Sequence, residues 1–248
     1  MRVLQTRCTD GFRSRCHWIT RGGEDRAAAI RDRLRDAIVD RRLAPGTKLN
    51  ETEVGALFDV SRTVVRAALQ ALTYEGLLTS ERNRGAFVAS PTPDEARHVF
   101  DARRLIEPGL VAAAIKRLGP SEIAAFRARL EEEDHVLHQT GPMARRAEIN
   151  ASGDFHLLLA RVAGNAIIQR FMEELLARSS LVIALYGRSG ASSCGHGDHA
   201  NILAALEQRD AERASQLLVS HLDHIEADLD LRTKGSLPLR EALGGRAG

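Results

Sequence analysis

The first third of the chain carries hydrophobic residues at helical spacing. Ile30, Leu34 and Ile38 lie four residues apart, separated by arginines and aspartates, and the pattern continues to Leu43. Apolar residues at i, i+4 and i+8 lie on one face of a helix, so this stretch predicts an amphipathic helix. Ala44-Pro45-Gly46 should end it, because proline cannot continue a helix and glycine turns freely.

Two further helices are predicted next, separated by a tight turn at Asp59-Val60. Asn50 is a suitable N-cap for the second helix. The residues of this helix that we expect to face inward are Val54, Leu57 and Phe58. Ser61 caps the third helix, which we predict over Arg62–Glu75, and Gly76 follows its end.

A short hairpin is predicted after the third helix. Two β-prone segments within residues 77–88 flank the turn Arg82-Asn83-Arg84-Gly85, where glycine permits a positive φ. Three helices with a tight turn between the second and the third, followed by a hairpin, are typical of a winged helix-turn-helix. The alternative is a helical unit that serves only for packing.

From Pro93 onwards the pattern is helical, and glycines mark the breaks. The breaks are Gly119-Pro120, Gly141-Pro142, Gly164-Asn165 and the loop Gly187–Gly197. The six predicted helices span about Asp94–Leu118, Ser121–Gln139, Met143–Ala163, Ala166–Leu185, Asp198–Gln208 and Ala211–Lys234. Short connections predict an antiparallel all-α bundle, in which side chains that face inward can form a binding site.

Composition agrees with a mainly α protein. The 248 residues are 44% hydrophobic and only 4% aromatic, which favours helices over a β-sandwich. No apolar run approaches the ~20 residues that cross a bilayer, so no membrane partner is expected. Cys8, Cys16 and Cys194 form no CxxC pair, which is consistent with a reducing cytoplasm.

The charges of the chain divide near residue 92. Residues 1–92 contain 16 Lys and Arg against 11 Asp and Glu, whereas the remainder contains 19 against 22. A basic front part indicates a polyanionic partner.

The chain divides into four predicted parts. They are a basic, disordered extension over 1–23, a DNA-binding domain over 24–91, an effector-binding bundle over 92–235 and a flexible tail over 236–248.

The solvent face of the third helix carries candidate DNA contacts. Arg62, Thr63 and Arg66 lie at its start, and the two arginines are one turn apart on one face. The start of a recognition helix enters the major groove, where an arginine can donate two hydrogen bonds to guanine. This face therefore predicts sequence-specific binding of DNA.

The hairpin tip adds two more arginines. Arg82 and Arg84 can reach the adjacent DNA backbone or the minor groove. Taken alone, Arg66 would be interpreted more simply as a solvated charge paired with Asp59 or Glu75. We favour DNA contact because several arginines converge on one surface.

Three histidines fall on inward faces of separate helices in the bundle. His156 and His221 lie on apolar stripes, and His199 begins its helix just before an apolar stretch. A single histidine on an apolar face is most simply a core residue, but three from one bundle suit Zn²⁺, Ni²⁺ or a similar ion. Spacing alone leaves both alternatives open. The histidines that we place on the surface or in loops are His98, His135, His138, His196 and His224.

Four blocks of the front part resemble the DNA-binding domain of GntR-family transcription regulators. In order along the chain they are Leu43–Leu49, Val60–Leu69, Leu72–Leu77 and Asn83–Ala86. The DNA-binding residues that this resemblance implies are Ser61, Arg62, Thr63, Arg66, Arg82, Arg84 and Gly85. Val64 stands where the family often has proline, and Asp59 where it often has glycine, but neither position carries an expected contact.

The back part resembles the FCD ligand-binding domain of the FadR-like subfamily over residues 93–230. The matching segments are Arg103–Pro108, Asp154–His156, Ala163–Asn165, Asp198–His199, Leu203–Leu206, Asp210 and His221–Leu222. In that family three histidines, with an acidic or amide residue one turn before the first, hold a divalent metal inside the bundle. The resemblance therefore implies a metal-binding effector domain.

The implied ligands of a divalent metal, zinc or nickel, are His156, His199 and His221. The fourth position falls on Ser152, and serine is a poor ligand, so water or the effector would complete the set. Asp154 is not expected to do so, because two residues along a helix from His156 it points elsewhere.

The resemblance also implies an effector site. Arg103 matches the family arginine that holds an effector carboxylate, and Asn165 is expected to bind the effector as well. A salt bridge from Arg103 to Glu107, four residues on, is compatible with that role.

These observations predict a homodimeric transcription regulator of the cytoplasm, a repressor that a small organic acid releases from operator DNA. Two-fold symmetry would place two recognition helices on the half-sites of a pseudo-palindrome. One alternative is the same kind of regulator with a metal-free effector pocket. A metal-dependent hydrolase is the other, but it would lack a clear general base and leave the front domain unexplained.

Overall fold

The computed structural model describes residues 23–138, 142–188 and 194–231, and every structural statement below concerns that part of the chain. Residues 1–22, with Cys8 and Cys16, and the tail predicted over 236–248 lie outside the described residues, so those expectations stay predictions. Among the described helices, none combines the length and the apolar character that a membrane span requires.

The front part folds as three helices and a small antiparallel sheet. In chain order its elements are α1 (Gly23–Val39), β1 (Lys48–Leu49), α2 (Glu51–Phe58), α3 (Arg62–Tyr74), β2 (Leu78–Glu81) and β3 (Gly85–Val88). β3 lies between the other two strands, with Leu49 opposite Ala86 and Leu78 opposite Val88. This is the predicted winged helix-turn-helix, with one short strand, β1, that the sequence pattern did not indicate.

The ends of α3 form as predicted. Ser61 caps the helix, since its Oγ accepts a hydrogen bond from the backbone N–H of Val64. Gly76 follows with φ of +75°, which favours glycine. The apolar stripe of α3 packs against α1 and the wing in one core, and its buried members are Val65, Ala68, Leu69 and Leu72.

Two predictions in the front part are wrong. α1 ends at Val39 rather than continuing to Leu43, because Arg41 takes a left-handed conformation and the N–H of Leu43 turns back to the carbonyl of Ala37. Leu57 is 77% exposed rather than inward-facing. α2 buries the side that holds Val54 and Gly55, which turns Leu57 toward solvent.

The back part is a bundle of six helices, as predicted. They are α4 (Pro93–Ile115), α5 (Pro120–Leu137), α6 (Pro142–Ala163), α7 (Ala166–Tyr186), α8 (Cys194–Glu207) and α9 (Ala211–Ala227). Thr92 caps α4 through a capping box, with Pro93 at its start. Buried side chains from all six helices share one core, in which Phe126 and Phe155 are fully buried.

The last two helices differ from their predicted bounds. α8 begins at Cys194, four residues earlier than expected, and α9 ends at Ala227 rather than at Lys234. The chain leaves α9 because Leu229 and Leu231 pack into a core cluster of their own, and Leu229 also bridges to Gly187. Burial of apolar side chains outside a helix here outweighs continuation of the helix.

The two parts pack against each other through α7. Leu181 is buried in the core of the winged part, and Ala184 lies in a smaller cluster with Val39 of α1. The Tyr186 hydroxyl donates a hydrogen bond of 2.6 Å to the carbonyl of Pro91 in the linker. α7 is thus shared by the bundle and the winged part.

Candidate functional site

Four predicted residues lie together at the start of α3. Ser61, Arg62, Thr63 and Arg66 are all exposed. They occupy the N-terminal end of the helix, where backbone N–H groups and the helix dipole favour an anion. This surface can therefore bind phosphate groups and the edges of bases.

The first turn of α2 holds both arginines of this surface. Arg66 donates two hydrogen bonds to Glu51, from Nε to Oε1 at 3.0 Å and from Nη2 to Oε2 at 2.9 Å. Arg62 donates from Nη2 to the hydroxyl of Thr52 at 3.2 Å. Both side chains are thereby oriented by a neighbouring helix. Glu51 and Thr52 were not singled out from the sequence.

The simpler interpretation of Arg66 named the wrong partners. Glu75 pairs with Arg35 instead, at 2.7 Å from Nη2 to Oε2. Nine residues separate Arg66 from Glu75, about 13 Å along the helix axis, so the two side chains lie at opposite ends of α3. Asp59 occupies the turn between α2 and α3, with a left-handed φ of +53°.

The wing presents the remaining predicted residues. Arg82 and Arg84 are exposed at the hairpin tip, where Asn83 and Gly85 take φ values of +63° and +102°. The glycine is required at the wider angle, which side chains rarely adopt. Arg84 pairs with Glu81 across the turn.

The three predicted histidines form one buried cluster. His156 comes from α6, His199 from α8 and His221 from α9, and each is at most 1% exposed. Their Nε2 atoms lie 3.0 to 3.2 Å from one another. Bonds of about 2.0–2.1 Å from imidazole to a metal would place two such atoms about 3.0–3.4 Å apart, so the cluster has the dimensions of a metal site.

A carboxylate faces the other ring nitrogen of each histidine. The Nδ1 pairs are His156 with Glu107 at 2.7 Å, His199 with Glu133 at 2.8 Å and His221 with Asp198 at 3.3 Å. When Nδ1 carries the proton that its carboxylate accepts, each Nε2 is left with a lone pair. Three lone pairs at this distance repel one another unless a cation lies among them. The donor set therefore fits a divalent metal.

Burial controls the ionisation of these groups. It lowers the pKa of His156 to about 4 and also lowers the pKa of His221, so both imidazoles are neutral, as metal ligands must be. Burial likewise raises the pKa of Glu133 to about 8, so this group carries a full negative charge at neutral pH only where a nearby cation, such as one held by the histidines, offsets the effect of burial. Burial would also raise the pKa of Glu107, but the Arg103 guanidinium and His156 have the larger effect and lower the pKa of Glu107 to about 2.

Arg103 joins the cluster through Glu107. Its side chain is 2% exposed, and Nε donates to Glu107 Oε1 at 2.5 Å while Nη1 donates to Ser179 Oγ at 2.9 Å. Among the described residues, Nη2 has no hydrogen-bond partner although it is buried. A buried donor of this kind calls for an acceptor, and a carboxylate is the acceptor that suits a guanidinium.

Three other positions were considered from the sequence. Asn165 is exposed and caps α7, since its Oδ1 accepts from the N–H groups of Ile167 and Ile168, so its expected effector contact has no support in its position. Ser152 is half-buried one turn before His156. Asp154 is half-exposed on another side of α6, 3.6 Å from Arg129, in agreement with its exclusion as a ligand.

The acidic partners of the histidines were not predicted. Glu133 had a detectable signal, because it continues the stripe of Phe126 and Leu130 along α5, and an acid on an apolar stripe needs a buried partner. Asp198 directly precedes His199 in sequence but contacts His221. No local pattern indicates that contact.

Two family models match the chain. The model described as bacterial regulatory proteins, gntR family, matches residues 26–88, and the model of the FCD domain matches residues 98–224. The first match covers the winged helix-turn-helix, and the second covers most of the bundle with all three histidines. Both candidate sites thus lie inside matched regions.

Individual proteins match over most of the chain. It is 26% identical to the Nta operon transcriptional regulator of Aminobacter aminovorans over 194 residues, 78% of this chain and 90% of that protein. It is 28% identical to the HTH-type transcriptional repressor RspR of Escherichia coli strain K12 over 197 residues, 77% and 83% of the two chains. The crystal structure of a GntR transcriptional regulator from Rhodococcus sp. RHA1 superposes with a TM-score of 0.68 at 28% identity, over 82% of this chain and 96% of that one.

Proposed function

Because the chain belongs to the GntR family of bacterial regulatory proteins and carries an FCD domain, we propose that it is a repressor that a small organic acid releases from operator DNA. As a member of that family it is a DNA-binding transcription regulator with a C-terminal effector-binding domain, and not an enzyme. The hydrolase alternative is therefore set aside. A repressor role is consistent with the name of the RspR relative. We place the protein in the cytoplasm, where bacterial DNA lies.

We propose that the start of α3 contacts the operator. Arg62, Thr63 and Arg66 would meet base edges in the major groove, while Ser61 and the helix N-terminus hold a phosphate. The exposed wing would add backbone or minor-groove contacts, and the residues concerned are Arg82, Arg84 and Gly85. The exposure of all these residues supports this role.

Inside the bundle, His156, His199 and His221 would hold a divalent metal, zinc or nickel. Such an ion supplies a fixed positive charge and open coordination positions. The carboxylates on the three Nδ1 atoms keep the imidazole rings oriented and their Nε2 lone pairs free. Water or the effector, rather than Ser152, would complete the ligand set.

The unpartnered Nη2 of Arg103 is the observation that carries the effector proposal. A buried guanidinium that already donates to Glu107 and Ser179 is held in place, and its remaining donor Nη2 is buried as well. Glu107 connects Arg103 to the metal cluster, because its second oxygen contacts His156. A small carboxylate can satisfy that donor and be attracted by the metal charge at the same time. A neutral ligand would gain much less from these two charges.

α7 offers a route from the effector site to the DNA-binding part. Ser179 accepts the hydrogen bond from Arg103, and two residues later Leu181 is buried in the winged core. A ligand that shifts Arg103 would therefore act on a helix that both parts share. Coupling of two sites requires such a shared element with more than one arrangement.

We propose further that the repressor is a homodimer. On α7, Ile167 is 68% exposed and Phe171 is 50% exposed, and the two lie one turn apart on one face. An apolar pair of this size on a helix surface supports contact with a second copy. A two-fold dimer would also match the symmetry of a pseudo-palindromic operator.

A thermal-shift screen tests the effector and the metal together. A panel of mono-, di- and tricarboxylates should contain acids that raise the melting temperature of the full chain, because a ligand that binds only the folded state stabilises it. EDTA should abolish that rise, and elemental analysis should find one divalent metal per chain. The double variant His156→Ala/His221→Ala is the control and should contain none.

Two results would count against these proposals in different ways. An equal rise with and without EDTA, in protein free of metal, would favour the metal-free effector pocket. A panel that produces no rise in metal-loaded protein would contradict carboxylate binding itself.

A further inference from the structure

The carboxylate of Glu51 lies on the same surface that we propose for DNA. Glu51 is the first residue of α2, after its cap Asn50, and its side chain is 35% exposed. An acid at this place repels DNA phosphates, so on electrostatic grounds alone it weakens binding. The two hydrogen bonds that it accepts from Arg66 indicate that it orients this arginine instead.

The geometry of the pair leaves one edge of Arg66 free. The carboxylate occupies Nε and one hydrogen of Nη2, so Nη1 and the outer hydrogen of Nη2 remain available. These terminal donors form a fork of the kind that bonds guanine O6 and N7. An unrestrained arginine could instead turn its fork to a phosphate, which carries no sequence information.

We propose that Glu51 is a specificity-determining residue of this regulator, which positions Arg66 toward base edges and keeps it away from phosphates. The inference rests on the proposed role of Arg66 in operator binding. Thr52 acts in the same way on Arg62, through a neutral and weaker hydrogen bond. The first turn of α2 is thus part of the base-recognition machinery without needing to touch DNA.

The charge and the exposure of Glu51 suit this role. The hydrogen bond from Arg66 lowers the pKa of Glu51, so the carboxylate is charged at neutral pH. Both side chains remain exposed, at 35% and 60%, and an exposed pair contributes little to folding. A substitution of Glu51 is therefore expected to act on DNA binding rather than on stability.

Specificity is measured as a ratio of two affinities of the full chain. The specific probe is a duplex that the wild-type protein selects from a random-sequence library, and the reference probe is a scrambled duplex of the same composition. Glu51→Gln should lower the ratio about tenfold, because a well-oriented bidentate contact discriminates by roughly that factor or more. Its binding should also become more salt-dependent, with the slope larger by about 0.9 for one added phosphate contact.

Glu53→Gln is the matched control. Glu53 is exposed in the same turn of α2 and carries the same charge, but it points about 200° around the helix from Glu51. This variant should change both affinities by a similar factor and leave the ratio near the wild-type value. Thermal unfolding of each variant confirms that it is folded.

The outcomes separate this inference from the function on which it rests. Equal ratios for Glu51→Gln and Glu53→Gln would overturn the positioning role of Glu51. If Arg66→Ala itself leaves the ratio unchanged, the operator contact of Arg66 is wrong. Glu51→Asp keeps the charge but shortens the side chain. If that variant shows the wild-type ratio of affinities, the charge at this position rather than the placement of Arg66 determines specificity, which would also overturn the inference.

Discussion

Arg66 and Arg103 are both held by a glutamate, one at the surface of the winged part and the other in the centre of the bundle. The Arg66 side chain is 60% exposed, whereas that of Arg103 is 2% exposed. Water already solvates the first pair, so Arg66 can take up DNA contacts at small cost. Arg103 lost its water on folding, and a new partner must bring its own negative charge into the core.

The difference suits two kinds of ligand. An exposed arginine meets a large polyanion that arrives from solvent, and its orientation decides how well it discriminates between bases. A buried arginine meets a small molecule that must shed its own water, and the match of charge and shape decides whether it enters at all. Three substitutions, from the largest expected effect to the smallest, test this contrast.

Glu107→Gln should destabilise the fold strongly. It removes the charge that compensates buried Arg103, and breaking a buried ion pair typically costs about 3–5 kcal/mol. Denaturant unfolding measures the loss, with Glu51→Gln as the control in which the exposed arginine loses its partner. If the two variants unfold alike, burial does not distinguish the two pairs.

Arg66→Ala should weaken operator binding about tenfold or more while the protein remains as stable as the wild type. Fluorescence anisotropy with the selected duplex at fixed salt measures the affinity. Arg127→Ala is the control, since Arg127 is equally exposed but lies on α5, where it pairs with Glu207. Comparable losses in both variants would mean that bulk charge, and not the position of Arg66, governs binding.

Ser179→Ala should have the smallest effect, a reduction of a few-fold in the response to effector. It removes the hydrogen bond that joins Arg103 to α7. The measurement is the ratio of operator affinities with and without an acid from the thermal-shift screen. Ser180→Ala is the neighbouring control, because the Ser180 hydroxyl donates within α7, to the carbonyl of Leu176. An unchanged response in Ser179→Ala would exclude this route of coupling.

The helical period explains what could be predicted. It placed His156 and His221 on inward faces and Arg62 and Arg66 on one outward face, since spacing along a helix determines the face. Leu57 shows the limit of this reasoning. A short helix with apolar residues on two sides does not reveal which side packs, and α2 buries Val54 and Gly55 instead.

By itself, the sequence determined the helices and the hairpin, their order along the chain and the residue types that each of them carries. Tertiary structure alone decided the partners: Arg66 meets Glu51 across 15 residues, His156 meets Glu107 across 49 and His199 meets Glu133 across 66. Local periodicity cannot specify such pairs, because the distance between two helices depends on how their apolar faces pack. The histidines were therefore predictable as candidates, while the carboxylates that orient them were visible only in the folded chain.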